Sequence, residues 1–294
     1  MAAGVPTLPQ QHIDRLLAFY ERDRARRRRQ WLLGVTAVLG LTWLAGRYGE
    51  VDIGNLLRHL SGVTSYFGRI LPRLRADHLT GDVADWYWNF GGWLQLLFDT
   101  VLIAWLATLF GAAGAAVLAF LAAGNLAPDA RLRWCVKRLL EFCRTVPDLV
   151  FALIFVGAFG LGPLPGVLAI GIHSFGTLGK LFTEVIENID LKPVDGVRSS
   201  GGRFTDVARF AVLPQILPNL VSYALLRFEI NVRASSIIGF VGAGGIGGDL
   251  FVAIRKFYYT DVSAILLMII VAVAVLDLVT ERIRHRLAAA EQGA

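Results

Sequence analysis

The sequence predicts an all-α membrane protein with six transmembrane helices, both termini in the cytoplasm, and an amphipathic helix before the first span. Three observations support this fold class. Of the 294 residues, 55% are hydrophobic and only 18% are charged, whereas soluble domains carry about a quarter charged residues. The mean hydropathy is +0.56. The formal net charge of +6 comes from basic residues at the ends of apolar segments, as cytoplasmic loops require.

The first 92 residues begin with the pattern of an amphipathic helix over residues 10–29. Its apolar stripe consists of Ile13, Leu16, Leu17 and Tyr20. Arginines follow at positions 22, 24 and 26–29, so this helix is expected to lie on an anionic membrane surface. The uncharged segment Gln30–Gly46 predicts the first span. It is long for the apolar core of a signal peptide, which favours an uncleaved anchor.

Residues 47–92 are expected on the outer side of the membrane. They carry a helical stripe formed by Ile53, Leu56, Leu57, Leu60, Val63, Phe67 and Ile70. Aromatic residues then cluster at Trp86, Tyr87, Trp88 and Trp93. We interpret this cluster as an aromatic belt at the membrane interface. A ligand-stacking aromatic box is the alternative interpretation.

Five further apolar segments predict the remaining spans. They are Thr100–Pro128 and residues 139–159, 166–186, 216–238 and 260–280. The first of these five is rich in Ala and Gly, which permit close helix packing. Basic residues place the loop around Arg131 and the tail after Arg282 in the cytoplasm. Cys135 and Cys143 fall within one predicted helix, so neither a disulfide nor a metal site is expected.

The longest polar stretch in the second half of the chain is Leu191–Leu220. Pro193 can begin a short helix, which Gly201 and Gly202 end. The residues predicted to form the apolar face of a second short helix are Phe204, Val207, Ala208 and Ala211. Pro214 and Pro218 allow the next long helix to begin afresh. The basic residues of the polar stretch suit contact with a cytoplasmic partner; they are Lys192, Arg198, Arg203 and Arg209.

Ionisable residues within the predicted spans are functional candidates because they are costly in a bilayer. In the fifth span, Arg227 and Asn231 share one face, while Glu229 and Arg233 share the other and can neutralise each other. Arg227 therefore needs a partner. That partner is either an acidic residue of another helix (Glu141, Asp148 or Glu184) or an anionic solute in a polar passage. We hypothesise that Arg227 faces the translocation path and that Glu229–Arg233 is structural.

Polar residues in the third and fourth spans have simpler interpretations. Glu141, Arg144 and Asp148 recur on one predicted helical face, which favours an ion network between helices over a gate. His173 and Ser174 are interpreted as a hydrogen-bonded interior pair rather than as ligands.

A glycine-rich stretch follows the fifth span. It contains Gly242, Gly244, Gly245 and Gly247. No βαβ pattern surrounds it, so a dinucleotide site is excluded. The stretch predicts either a tight turn with close helix contact or a re-entrant loop whose amides contact an oxyanion. Arg255 and Lys256 beyond it could draw anions to the outer surface.

The polar stretch resembles the cytoplasmic loop of type I ABC importer permeases. That loop reads Glu-Ala-Ala, three residues, Gly, nine residues, Ile, one residue and Leu-Pro. Here Asp195-Gly196-Val197 replaces the triplet, Gly201 and Ala211 take the next two positions, and Leu213-Pro214 matches. The runs Arg227–Gly247 and Cys143–Ile170 resemble phosphonate-import ABC permeases. The similarity extends over about residues 93–284, the predicted permease domain; residues 285–294 form a tail.

This resemblance implies a homodimeric, multi-pass subunit of the bacterial inner membrane, surrounded by lipid, with one path between its two copies. A periplasmic or lipid-anchored binding protein would deliver phosphonate, phosphate or phosphite. Two copies of an ATPase, which would hold the ATP and Mg, would dock on a coupling loop over about residues 191–214. The coupling residues would be Asp195, Gly196, Val197, Arg198, Gly201, Arg203, Leu213 and Pro214. No nucleic acid, and no cofactor on this chain, is expected.

The residues themselves agree that this chain has no ATPase site or other catalytic site. Its nearest approach to a phosphate loop, residues 174–181, lacks the first glycine and the final Ser or Thr. Three alternatives stay open: a permease of the same family for another anionic or small organic solute, an intramembrane hydrolase, and an anion channel or secondary carrier. A hydrolase would need a base to activate Ser174. A carrier often shows two similar halves, which this sequence lacks.

Overall fold

The computed structural model describes residues 10–49, 52–72, 74–126 and 129–292. Within these residues the chain forms helices and turns and no β-strand, which confirms the all-α class for the described part. The chain divides into two compact units, Met1–Tyr66 and Phe67–Ala294.

The first unit contains α1 (Gln10–Tyr48), α2 (Ile53–Arg58) and the beginning of α3 (Leu60–Ile70). The predicted amphipathic helix and first span are therefore one continuous helix. Good helix formers fill the junction, and Arg27 Nε donates to Asp23 Oδ2 across one turn at 2.8 Å. The side chains of Ile13 and Leu16, like those of Ile53 and Leu56, lie outside the described residues.

After the end of α3, the second unit continues with α4 (Leu79–Trp86), α5 (Phe90–Ala122), α6 (Ala130–Thr145), α7 (Asp148–Phe159) and α8 (Pro163–Glu187). Helices α5 and α8 pack through small residues, as the Ala- and Gly-rich composition of α5 predicts. A Cβ added to Gly111 would lie 2.9 Å from Ser174 Cβ. Ala104, Ala107 and Ala115 are fully buried.

The third predicted span is broken, which corrects the expectation of one straight helix. Helices α6 and α7 meet at 85° because Val146, held extended with ψ 124° by the following proline, ends α6. The predicted common face of Glu141, Arg144 and Asp148 is therefore wrong. Glu141 instead pairs with Arg138 at 2.7 Å, and Asp148 begins α7.

The polar stretch forms α9 (Lys192–Ser199), with Pro193 in its first turn and Gly201, at φ +84°, just after its end, as predicted. The next segment differs from the prediction. A turn (α10, Phe204–Asp206) continues through a π-helical segment (Val207–Val212) into α11 (Leu213–Ile238) without a break. Pro214 lies in the first turn of α11, as predicted, but the helix before it does not end, because the π-helical segment leads directly into α11. Pro218 lies inside α11.

The chain ends with α12 (Ile246–Arg255) and α13 (Tyr259–Gln292). By length and hydropathy, α5 and the Tyr259–Arg286 part of α13 could each cross a membrane. Two more spans result if each bent pair, α6 with α7 and Phe204–Val241 with α12, is counted as one. Two to four spans are therefore supported among the described residues, and the count of six stays a prediction.

The beginning of the predicted cytoplasmic loop is anchored to the end of α8. Val194 is fully buried in a cluster with Phe182, Ile186 and Val212. Beside it, Glu187 accepts hydrogen bonds from Gly124 N at 2.8 Å and Lys137 Nζ at 3.0 Å. Burial raises the pKa of Glu187, but these two donors outweigh it and hold the pKa below its ordinary value. The carboxylate therefore stays charged at neutral pH.

Candidate functional site

Three buried polar side chains of the second unit form one network between α5, α8 and α11. Asn231 and Ser174 are fully buried, and Thr108 is 4% exposed. Asn231 Nδ2 donates to Thr108 Oγ1 at 2.8 Å and to Ser174 Oγ at 2.9 Å. Polar groups this deep in an apolar bundle are costly unless paired, and this network pairs them across three helices.

Arg227 joins the network one turn before Asn231, as their shared face predicts. Its Nε donates to Ser174 Oγ at 3.1 Å. Of the acidic partners considered for Arg227, Asp148 at the beginning of α7 exerts an electrostatic attraction on it. Among the described residues, however, no carboxylate lies within 4.0 Å of the guanidinium. One edge of Arg227 is therefore fixed by a neutral hydroxyl, and its charge is not directly paired.

Glycines on α8 place this network beside the break between α6 and α7. A Cβ on Gly176 would lie 2.5 Å from Arg144 N and 2.6 Å from Leu140 O, so α6 packs directly on α8. His173 Nδ1 then lies 3.1 Å from Val146 O at the break. His173 and Ser174 are hydrogen-bonded interior residues, as interpreted from the sequence, but they bond to different partners.

Glu229 and Arg233 lie on the other face of α11 and form the predicted ion pair. Glu229 is buried, whereas the side chain of Arg233 is 52% exposed. The pair compensates its own charge within the helix. The ion pair between Glu229 and Arg233 therefore lies on a different face of α11 from the Arg227 network.

The glycine-rich stretch is a tight turn between α11 and α12. Gly242, Gly244 and Gly245 have φ values of +82°, +84° and +77°, which favour glycine. The turn lies against α5 and α8: Gly162 N donates to Gly242 O at 2.9 Å, and Ile246 N donates to Thr100 Oγ1 at 2.9 Å. The geometry is that of close helix packing, and contact between the amides and an oxyanion stays a prediction.

A comparison with known protein families decides the identity of this bundle. The model of the family described as "Binding-protein-dependent transport system inner membrane component" matches residues 115–290. The chain belongs to this family. It is therefore the permease subunit of an ABC importer, and its ATP-hydrolysing site lies on another subunit.

Individual relatives agree with this assignment. The permease is 38% identical over 244 residues to a phosphite transport system permease protein of Stutzerimonas stutzeri, covering 83% of this chain and 84% of the relative. It is 42% identical over 192 residues to a phosphate-import permease protein of Mycolicibacterium smegmatis, covering 65% of this chain and 36% of that longer relative. An inward-facing methionine ABC transporter structure matches with a TM-score of 0.57 and 19% identity, covering 66% and 95% of the two chains. That likeness shows the fold.

The geometry around Ser174 gives no support to a hydrolase. Its hydroxyl bonds to Asn231 and Arg227, whereas an activated serine needs a base as its partner. Among the described residues, no group of three or more His, Cys, Asp or Glu side chains could hold a metal ion.

The predicted coupling residues lie on the surface of the permease. Asp195, Gly196, Arg198 and Arg203 are exposed, and Leu213 and Pro214 are exposed at the beginning of α11. Val197 is partly buried and packs on the cluster around Val194. Arg209 lies over the exposed ring of Phe210, 5.4 Å from its centroid. The loop therefore exposes basic and apolar side chains, while the buried cluster around Val194 anchors it to the end of α8.

The sequence did not single out Thr108 as a member of the site. Its only signal is a hydroxyl in the otherwise apolar run from Val101 to Ala122 of α5. Ser174 was considered, but its bond to Arg227 depends on how α8 packs against α11, which the spacing along one chain does not reveal.

Proposed function

We propose that this permease carries phosphonate or a related phosphorus oxyanion, such as phosphate or phosphite, across the bacterial inner membrane. The names of the relatives support this class of solute. The observation that carries the proposal is Arg227, a cation on a span with no carboxylate within 4.0 Å among the described residues. An oxyanion is the partner that a guanidinium binds best.

The proposed role of Arg227 follows from how it is held. Because Ser174 binds Nε, the two terminal nitrogens keep their donors for a solute. Asp148 attracts Arg227 only from a distance, so a passing anion competes with a weak interaction rather than a close ion pair. A weakly balanced cation suits transport, because a solute that bound too tightly would not leave.

The proposed assembly contains two copies of the permease with the path between them. Six spans per copy place both termini and the Asp195–Pro214 loop in the cytoplasm, where two ATPase subunits dock. A periplasmic or lipid-anchored binding protein delivers the anion outside and selects it first. Arg255 and Lys256, both exposed, would then attract the anion to the outer surface.

Uptake by proteoliposomes tests this function. Vesicles containing the permease, its ATPase and its binding protein are expected to accumulate labelled phosphite, phosphate or methylphosphonate only when ATP is supplied. A binding protein that holds only a cation or a neutral sugar would overturn the proposed solute class. Accumulation against a gradient by the permease alone would overturn the dependence on an ATPase.

Charge reversal on the coupling loop is expected to detach the ATPase. Arg198→Glu with Arg203→Glu changes two exposed side chains and should leave the helices folded. If the ATPase presents acidic groups to these two arginines, the new glutamates repel them across the interface. The amount of co-purified ATPase is therefore expected to fall at least about tenfold. Arg131→Glu with Arg282→Glu, also exposed, is the matched control. Equal loss of ATPase in both variants would contradict a specific role for the loop.

A further inference from the structure

An open apolar groove runs between α5 and α13 on the outside of the second unit. It encloses about 710 Å³. Its walls include Leu94, Phe98 and Val101 from α5 and Leu267, Val271 and Val275 from α13. All of these except Val101 are exposed. The α5 residues recur at intervals of three and four, so they form one continuous face of that helix.

The length of the groove matches one leaflet of a bilayer. Its α13 wall extends from Leu267 to Leu276, which corresponds to roughly 14 Å at about 1.5 Å per residue. Half of the ~30 Å hydrocarbon core is about 15 Å. A single acyl chain would therefore fill the groove from the interface to the midplane.

A second pocket with a different lining lies at the Tyr259 end of α13. It encloses about 920 Å³ and is lined by Arg69, Trp88, Phe257, Tyr258, Tyr259 and Asp261, among others. Trp88 follows Tyr87, which lines the groove. Thr260, which also lines the pocket, lies on the same face of α13 as Leu267 and Val271, because the three are spaced by seven and four residues. The pocket and the groove therefore follow one another along the same face of α13.

We call this second pocket, at the Tyr259 end of α13, the head pocket. Its charged residues favour binding of an anionic group. Arg69 lines the pocket, and its Cζ lies 5.8 Å from the centroid of the Tyr259 ring. Lys256 precedes the lining residue Phe257 in the chain, and its Nζ lies 5.9 Å from the centroid of the Tyr258 ring at the pocket's edge. Asp261 is the opposing carboxylate, and its Oδ1 accepts a hydrogen bond from Trp88 Nε1 at 3.3 Å. Two cations held on aromatic rings suit a phosphodiester. The remaining acceptor capacity of Asp261 suits the hydroxyls of a glycerol headgroup.

The backbone at Phe257 supports a built site rather than a chance cavity. Tyr258 N donates to Ala253 O at 2.9 Å and Phe257 N donates to Ile254 O at 3.2 Å, the bonds of a Schellman motif. Glycine normally occupies the position of Phe257, whose φ is +59°. Here a phenylalanine adopts this backbone conformation, which is unfavourable for any residue except glycine, and its ring is 70% exposed. That ring forms a wall of the head pocket.

We propose that the groove and the head pocket together bind one anionic phospholipid. Its phosphodiester lies against Arg69 and Lys256, its glycerol headgroup faces Asp261, and one acyl chain occupies the groove. Trp88 and Tyr258 then lie at the depth of the headgroups, where such residues concentrate. This site is independent of the solute path around Arg227.

Native mass spectrometry of the delipidated permease–ATPase complex tests this site with phosphatidylglycerol as the probe. Phosphatidylglycerol is expected to bind at least about tenfold more tightly than phosphatidylcholine, since two basic residues attract the net negative headgroup. Arg69→Gln with Lys256→Gln should abolish this preference. Val271→Trp, which fills the groove, should weaken binding of both lipids.

Two further variants keep the test decisive. Phe257→Gly removes the ring and relieves the backbone, so it should weaken phosphatidylglycerol binding without lowering the melting temperature. Arg282→Gln with Arg286→Gln, exposed at the far end of α13, should leave binding unchanged. Equal affinity for the two lipids, or equal loss in this control, would overturn the proposal. Displacement of the lipid by millimolar inorganic phosphate would also overturn it, because the site would then be one for free phosphate.

Discussion

A permease carrying Arg227→Ala is expected to assemble with its ATPase and yet transport its oxyanion at least about a hundredfold more slowly. The physical reason is that Arg227 is a partly buried cation on α11 whose hydrogen bond at Nε goes to the neutral Ser174 hydroxyl. If α11 crosses the membrane as predicted, burying this charge costs free energy, and a charge kept despite that cost indicates a function. Alanine removes that cost and the solute contact together, so folding should survive while uptake is lost. Initial rates of uptake into proteoliposomes measure the effect.

Two variants separate this role from a structural one. Arg227→Lys keeps the charge but loses the planar guanidinium that reaches Ser174, so an intermediate loss of about tenfold is expected. Glu229→Ala removes the buried half of the ion pair with Arg233 and should lower the melting temperature of the complex without changing the KM of uptake. Normal transport by Arg227→Ala, with Glu229→Ala folding no worse than it, would refute this division of roles.

The sequence predicted those parts of the permease that depend on local chemistry. Helical spacing placed Arg227 and Asn231 on one face of α11, and both donate to Ser174 in the structure. The same spacing predicted the ion pair between Glu229 and Arg233, which the structure confirms. Pro193 and Gly201 delimited α9 because proline and glycine restrict or relax the backbone in known ways.

The sequence failed where the outcome depends on packing between helices. Pro147 marks the position of the break between α6 and α7, but its angle of 85° accompanies the direct packing of α6 on α8 that Gly176 permits. Pro214 and Pro218 were expected to restart a helix, yet the chain continues from Phe204 to Val241. Thr108 entered the site only because Asn231 reaches it from another helix. These contacts join residues far apart in the chain, and no local pattern encodes them.

Gly247→Ala is expected to prevent accumulation of folded permease. A Cβ at this position would lie 1.9 Å from Ser236 O and 3.1 Å from Gly239 Cα. Both are backbone atoms, so no side chain can rotate away, and α12 must move off the end of α11. Overpacking of this kind is expected to cost about 3 kcal/mol or more. The yield and melting temperature of the detergent-purified complex measure the loss.

Gly157→Ala is the matched control, because a Cβ there would meet nothing within 4 Å. Alanine favours a helix over glycine by about 1 kcal/mol, so this variant should be as stable as the parent or more so. The contrast also tests the two interpretations of the glycine-rich turn. If the glycines served only to expose amides to an anion, Gly247→Ala would impair transport but not stability. A loss of folded protein, with Arg227 on the same long helix, means instead that these glycines hold α11 in place.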